Sequence, residues 1–232
     1  MLTEHEFIKP DQCARIIEIV HALKEHWVNR AAGFLPFYTL GAASYLDAST
    51  DKLTPYYQAA ERYNPILESH FPQLYESLKD TLSQTLNIPV TYAKGMSLPG
   101  FHIFLANKAF ENPIASTHFD LQFKPLKWEY EQVDFAHPIS FTCAVSLPHA
   151  GTGINYWDIS QEEVKDLNRA ELEDLKKSKE THFLPYSQGK LVLHRGLILH
   201  QIAPCKEIKP TDERITLQGH GLICDGILRL YW

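Results

Sequence analysis

The chain has 232 residues, 44% of them hydrophobic and 12% aromatic, which is enough apolar material for one sizeable core and points to a single domain over 1–232. A formal net charge of -6, with no long run of Lys or Arg, argues against nucleic acid or an anionic membrane as partner. Cys13, Cys143, Cys205 and Cys224 are far apart with no CxxC, so neither a zinc-thiolate site nor a disulfide framework is expected, and the thiols read as packing residues.

The N-terminal "MLTEHEFIKP" lacks the basic-then-apolar pattern of a secretory signal, and apolar runs such as 221–230 are short and interrupted by charge. Both features predict a cytoplasmic protein. After Pro10, residues 11–30 carry an Asp start signal and an apolar stripe at Ile16, Ile17, Val20, Leu23 and Trp27, which predicts an amphipathic helix. A second helical stretch is expected from Thr54 to Leu86, broken at Pro65 and Pro72. The first 88 residues thus read as mainly helical support.

From Pro89 the texture changes to short β-rich runs separated by Gly, Pro and Asn: 90–94, 100–106, 114–123, 139–147, 154–157, 190–194, 197–202, 214–223 and 227–232. Eight or nine short strands suggest a sandwich or barrel over 89–232. The run 159–180 interrupts them. It opens with Ser160 and Glu163 in capping-box spacing and is almost entirely charged, which reads as a solvated helical insertion or a lid.

Within "ASTHFDLQF" (115–123), a strand would point His118 and Asp120 to one side, where both side chains can reach one ion. The pair alone is weak, since a chain with this much His and Asp contains a His-x-Asp by chance in roughly one case in two. Further along, a Gly-led strand, a turn at Arg195 and Gly196, a returning strand with His200, and then Arg214 and Thr216 on one strand face follow in order. His194 is the rival to His200. The turn at Gly196 favours the ligand on the returning strand.

This ordered set, His-x-Asp, distal His, Arg-x-Thr, resembles the Fe(II)- and 2-oxoglutarate-dependent dioxygenases, over about three fifths of the chain. The resemblance implies an α+β fold with a mainly β core, a double-stranded β-helix or jelly roll with the N-terminal helices packed on its major sheet. It implies that His118, Asp120 and His200 hold Fe(II), and that Arg214 and Thr216 hold the co-substrate 2-oxoglutarate. Two imidazoles and one carboxylate leave open positions on such an ion for co-substrate and O2. The planar guanidinium of Arg214 matches a carboxylate with two charge-assisted hydrogen bonds. The implied reaction hydroxylates an unactivated carbon and releases succinate and CO2, and the carboxylate at 120 favours hydroxylation over halogenation, for which a small residue stands there.

His102, Phe104, Gln122, Trp157 and Gln218, on or beside the flanking strands, are candidates to meet substrate. The absence of a recognisable peptide-binding module turns the expectation to a small polar metabolite such as a free amino acid. The alternatives are a peptidyl or protein hydroxylase with an open groove, and a non-catalytic cupin-like metal-binding module.

Overall fold

The computed structural model describes residues 2–48 and 52–232. Helix α1 (Pro10–Ala22) starts where the sequence predicts, with proline in its first turn and the Gln12 side chain accepting from the Lys9 backbone N–H at 2.8 Å. It ends eight residues short of the expected 30. The chain breaks into a short 3-10 turn (Lys24–His26) and strand β2 (Val28–Asn29), preceded in the sequence by β1 (Thr3–Glu6). Trp27 explains the early stop, because its indole N–H donates back to the Val20 carbonyl at 3.0 Å, satisfying an end group of the helix from outside.

After β3 (Phe37–Leu40) and the one-turn helix α2 (Ser44–Asp47), α3 (Thr54–His70) runs through Pro65, contrary to the expected break, while α4 (Pro72–Leu86) starts at Pro72 as expected. Proline leaves the carbonyl four residues earlier without its N–H. Glu61 and Pro65 both lie on the exposed face of α3, which leaves that carbonyl open to solvent.

Nine strands form a large sheet in the order β1, β9 (Lys190–Arg195), β6 (Ile139–Ser146), β11 (Glu213–Cys224), β5 (Gly100–Leu105), β3, β2. Strand β12 (Ile227–Tyr231) pairs antiparallel with the end of β11 and in parallel with β4 (Val90–Tyr92). A small antiparallel sheet holds β10 (Leu199–Ile202), β7 (Gly153–Trp157) and β8 (His182–Pro185). The architecture is therefore mixed helix and antiparallel sheet. Strands β1, β2, β3 and β8 were not among the expected runs; β1 and β8 carry His and Glu or Pro on solvated edges, so no alternation announces them.

Alternation along the large sheet sorts the side chains into two chemistries. Phe101 and Ile103, Cys143 and Val145, Leu191 and Leu193, and Ile215 and Leu217 pack with Cys13, Ile16 and Val20 of α1 and Leu74, Leu78 and Leu82 of α4 in the main core. The alternate residues His102 and Phe104, Ser140 and Thr142, His194, and Arg214 and Gln218 line a cavity on the opposite face. The helices thus close one face with apolar contacts, and the polar face is left for a site. The charged insertion forms two helices, α5 (Gln161–Val164) and α6 (Arg169–Ser178), each opened by a capping box, Ser160 with Glu163 and Asn168 with Glu171. No helix among the described residues is long and apolar enough to cross a membrane.

Candidate metal centre

Residues 114–123 do not form the expected strand. His118 makes a single bridge to His200, each N–H donating to the other's carbonyl at 2.9 and 3.0 Å, and the Asp120 N–H donates to the Gly196 carbonyl at 2.7 Å. A loop tied at alternate residues has the same consequence as a strand, since 118 and 120 still present their side chains together. The contact depends on glycine at 196. A Cβ there would lie 3.1 Å from both the Cβ and the carbonyl oxygen of Asp120 and 3.2 Å from Ser140 Oγ.

One ligand atom from each of His118, Asp120 and His200 lies within 4.8 Å of the other two. His118 Nε2 is 3.6 Å from one carboxylate oxygen of Asp120, and His200 Nε2 is 3.7 Å from the other. These separations are too long for hydrogen bonds. Both imidazoles are fixed from behind: Nδ1 of His118 donates to the Ser116 carbonyl at 2.9 Å, and Nδ1 of His200 donates to the Ile198 carbonyl at 2.8 Å. A carbonyl only accepts, so the proton sits on Nδ1 and the Nε2 lone pair faces Asp120. Gln122 Nε2 donates to an Asp120 oxygen at 2.9 Å, which orients the carboxylate.

Burial favours neutral imidazole at His200, pulling its pKa down to about 4 against the opposing pull of Asp120. Burial likewise lowers His194 and His220. For Asp120 burial acts upward, but the surrounding imidazoles of His200, His220, His194 and His118 outweigh it and leave the carboxyl well below its ordinary range. An ionised carboxylate with two unprotonated imidazole nitrogens is the donor set that suits a divalent first-row metal. His194 stands beside the group, its Nε2 3.8 Å from Asp120 and its Nδ1 donating to the Arg195 carbonyl at 3.0 Å.

Arg214 lines the same cavity and is buried. Its Nε and Nη2 have no hydrogen-bond partner, and no carboxylate pairs with it among the described residues. Its guanidinium sits 5.2 Å from the Phe104 ring and 5.7 Å from the Tyr186 ring, flat supports that hold a cation without consuming its donors. An unpartnered buried guanidinium costs several kcal/mol unless an anion meets it. Thr216 lies on the same strand face but is fully buried and is not part of the cavity wall; its hydroxyl accepts from Gln218 Nε2 at 3.3 Å.

Of the expected substrate residues, His102, Phe104, Gln122 and Gln218 line the cavity. Trp157 does not. It pairs with Leu199 across β7 and β10 and faces outward, packed with Ile159 and Leu199 beneath the insertion, where Lys176 lies 4.6 Å from its ring. The alternation of a two-sided strand, with Ile154 inward and Trp157 outward, decides this. Tyr45 is a cavity residue absent from the expected set. It is carried by α2, which the double ion pair of Arg30 with Asp47 at 2.6 and 2.7 Å fastens beside the cavity, and its hydroxyl meets His102 Nε2. No spacing signal in the sequence links residue 45 to residue 102; only the pairing of β3 with β5 does. Tyr186, just past β8, is missed for the same reason.

No family model matches the chain, and no curated protein does. Solved structures do. An N-substituted L-amino acid dioxygenase from Burkholderia ambifaria AMMD, in complex with alpha-ketoglutarate, superposes with a TM-score of 0.59 at 14% identity, covering 100% of this chain and 86% of that one. The non-haem alpha-ketoglutarate-dependent epimerase SnoN from nogalamycin biosynthesis gives 0.55 at 10% identity, covering 95% and 80%. HygX from Streptomyces hygroscopicus, with nickel, 2-oxoglutarate and hygromycin B bound, gives 0.51 at 14%, covering 94% and 82%. The chain shares the fold of these enzymes. At such identities the likeness is one of fold, and the chemistry has to be argued from the residues.

Proposed function

We propose that this protein is an Fe(II)- and 2-oxoglutarate-dependent oxygenase, built on a double-stranded β-helix, that hydroxylates a carbon of a small molecule. His118, Asp120 and His200 are the metal ligands in this reading, and Arg214 receives the distal carboxylate of 2-oxoglutarate, with Thr216 behind it. The observation that carries the reading is the pairing, in one cavity, of a carboxylate–imidazole group with a buried guanidinium whose donors are unspent. A structural ion-pair network would have supplied Arg214 with an acid. When bound, Fe(II) and 2-oxoglutarate supply with O2 the oxidising chemistry, one oxygen atom entering the substrate C–H bond and the other entering succinate as CO2 leaves.

The chain's own contribution is positional. Ser116 and Ile198 carbonyls fix the imidazole tautomers, Gln122 fixes the carboxylate, and the Phe104 and Tyr186 rings flank Arg214. The cavity, about 390 Å³ for co-substrate and substrate together, favours a small molecule over a folded protein substrate. Arg214 also argues against a non-catalytic cupin-like module, which has no use for an unpaired guanidinium beside its metal. The test is succinate release in the presence of Fe(II), 2-oxoglutarate and O2. Arg214→Ala should abolish it while metal binding persists, and release unaffected by that substitution would refute the assignment.

A further inference from the structure

The lining of the cavity says more about substrate than its shape does, and the inference drawn from it rests on the oxygenase reading. Arg214 is the one Lys or Arg among the described lining residues, and in that reading the co-substrate takes it. The histidines beside it are already engaged: His102 Nε2 meets the Tyr45 hydroxyl, His194 Nδ1 donates to the Arg195 carbonyl at 3.0 Å, and His220 Nδ1 meets Ser140 at 3.0 Å. The two acids at the rim are already matched. Asp212 accepts from the backbone N–H groups of His149 and Lys209 and pairs with the His149 ring, and Glu213 meets His21 Nε2 at 2.8 Å.

Most of the polar side chains inside are spent on one another too. The Tyr45 hydroxyl meets His102, Gln218 donates to Thr216, Ser140 meets His220 Nδ1 at 3.0 Å, and the Thr152 hydroxyl donates to the Ala203 carbonyl at 2.9 Å. His102 Nδ1 and Gln122 Oε1 are left without a partner, two neutral groups that can each meet one neutral polar atom of a ligand, and the rest of the open wall is hydrocarbon. Leu35, Phe37, Phe110 and Ile202 face the interior, and Leu46 and Ile114 at the wall are 40% and 45% exposed, large apolar groups kept in contact with water at one place.

We propose that the molecule oxidised here is uncharged and predominantly apolar, and in particular carries no free carboxylate or phosphate. A carboxylate brought into this lining beside a bound co-substrate would lose its hydration without gaining a cation. This departs from the free amino acid expected from the sequence, which would need a second anion-binding group beside Arg214.

A matched pair of probes tests it: methyl indole-3-acetate and indole-3-acetate, the same ring with and without the charge. Binding of each to the full chain loaded with Zn(II) is followed by saturation-transfer NMR, with and without 2-oxoglutarate. With 2-oxoglutarate present the ester should bind at least tenfold more tightly than the acid, and omitting 2-oxoglutarate should strengthen the acid by freeing Arg214. An acid that binds as tightly as the ester in the presence of 2-oxoglutarate overturns the inference, as does an ester with no saturable binding. If 2-oxoglutarate leaves the acid's affinity unchanged, it is the co-substrate assignment that fails, and the ester-to-acid ratio still reads the charge preference of the cavity.

Discussion

Replacing Arg214 by methionine should stabilise the protein while removing its co-substrate. The side chain is buried, two of its nitrogens are unpartnered, and no acid faces it among the described residues, so in the ligand-free state it carries a desolvation penalty of several kcal/mol. Against that stand the Phe104 and Tyr186 rings, which return about 1 kcal/mol each. Methionine is shorter and loses the guanidinium's ring contacts but fills the stem with a flexible apolar chain, so the expected net gain is about 1–2 kcal/mol, or a rise in Tm of roughly 2–8 °C for a chain of this size. Loss of one partner from a buried bidentate charge pair costs about 3 kcal/mol in binding, which is about two decades in the Kd of 2-oxoglutarate. Thermal melts of the wild type and Arg214→Met, each with Zn(II) and with or without 2-oxoglutarate, measure both effects in one plate. The wild type should melt higher with 2-oxoglutarate and the variant should not respond. A variant that melts below the wild type yet keeps its response to 2-oxoglutarate would refute the reasoning.

Gly196→Ala should weaken metal binding about tenfold, the scale of a lost supporting contact, because its Cβ would press on Asp120 at 3.1 Å; a competition titration against a chelator reads this, and an unchanged affinity would show that the loop yields freely. The metal-free protein should lose stability as pH falls from about 6.5. The buried histidines have folded pKa values below those of the unfolded chain, so their contribution is full above 6.5 and is lost as pH falls through the folded values, about 4 for His200. Asp120, also depressed in the fold, adds loss in the same direction at lower pH, and urea titrations that show flat stability between pH 7 and 4.5 would contradict this. Burial pushes the Cys13 thiol up to about 11, so it should resist thiol reagents at pH 8 until the chain unfolds. Lys176→Met should lower stability by about 1 kcal/mol and perturb tryptophan fluorescence, since its ammonium lies over Trp157 and donates to Thr117, the neighbour of His118, at 2.8 Å.

Legibility in the sequence followed the range of the signal. Where a residue's role is set by neighbours two positions away on a strand, as for Arg214, Thr216 and Gln218 on β11, the alternation is written locally and the face is readable. His118, Asp120 and His200 could be singled out for a different reason, their order along the chain, and the fold brings the three together. The strand expected at 114–123 was wrong in form yet right in consequence, because the tie of Asp120 to Gly196 reproduces a strand's alternation without a ladder. Tyr45 and Tyr186 were invisible, since each reaches the cavity through pairings between distant segments that no local pattern encodes. Trp157 was misplaced because an aromatic residue on a two-sided strand serves either face equally well. The insertion that covers it decides the side, and that contact joins residues 157 and 176 only after folding. Pro65 shows the converse, a local break signal overridden by a solvated helix face.

The decisive measurement is anaerobic addition of Fe(II) and then 2-oxoglutarate to the wild type, to Arg214→Met and to Asp120→Ala, followed by visible absorption. A weak charge-transfer band is expected in the wild type that saturates with 2-oxoglutarate, needs far more of it in Arg214→Met, and does not form in Asp120→Ala. Folded wild-type protein that binds Fe(II) but develops no such band at saturating 2-oxoglutarate would contradict the assignment of this cavity as an iron and 2-oxoglutarate site.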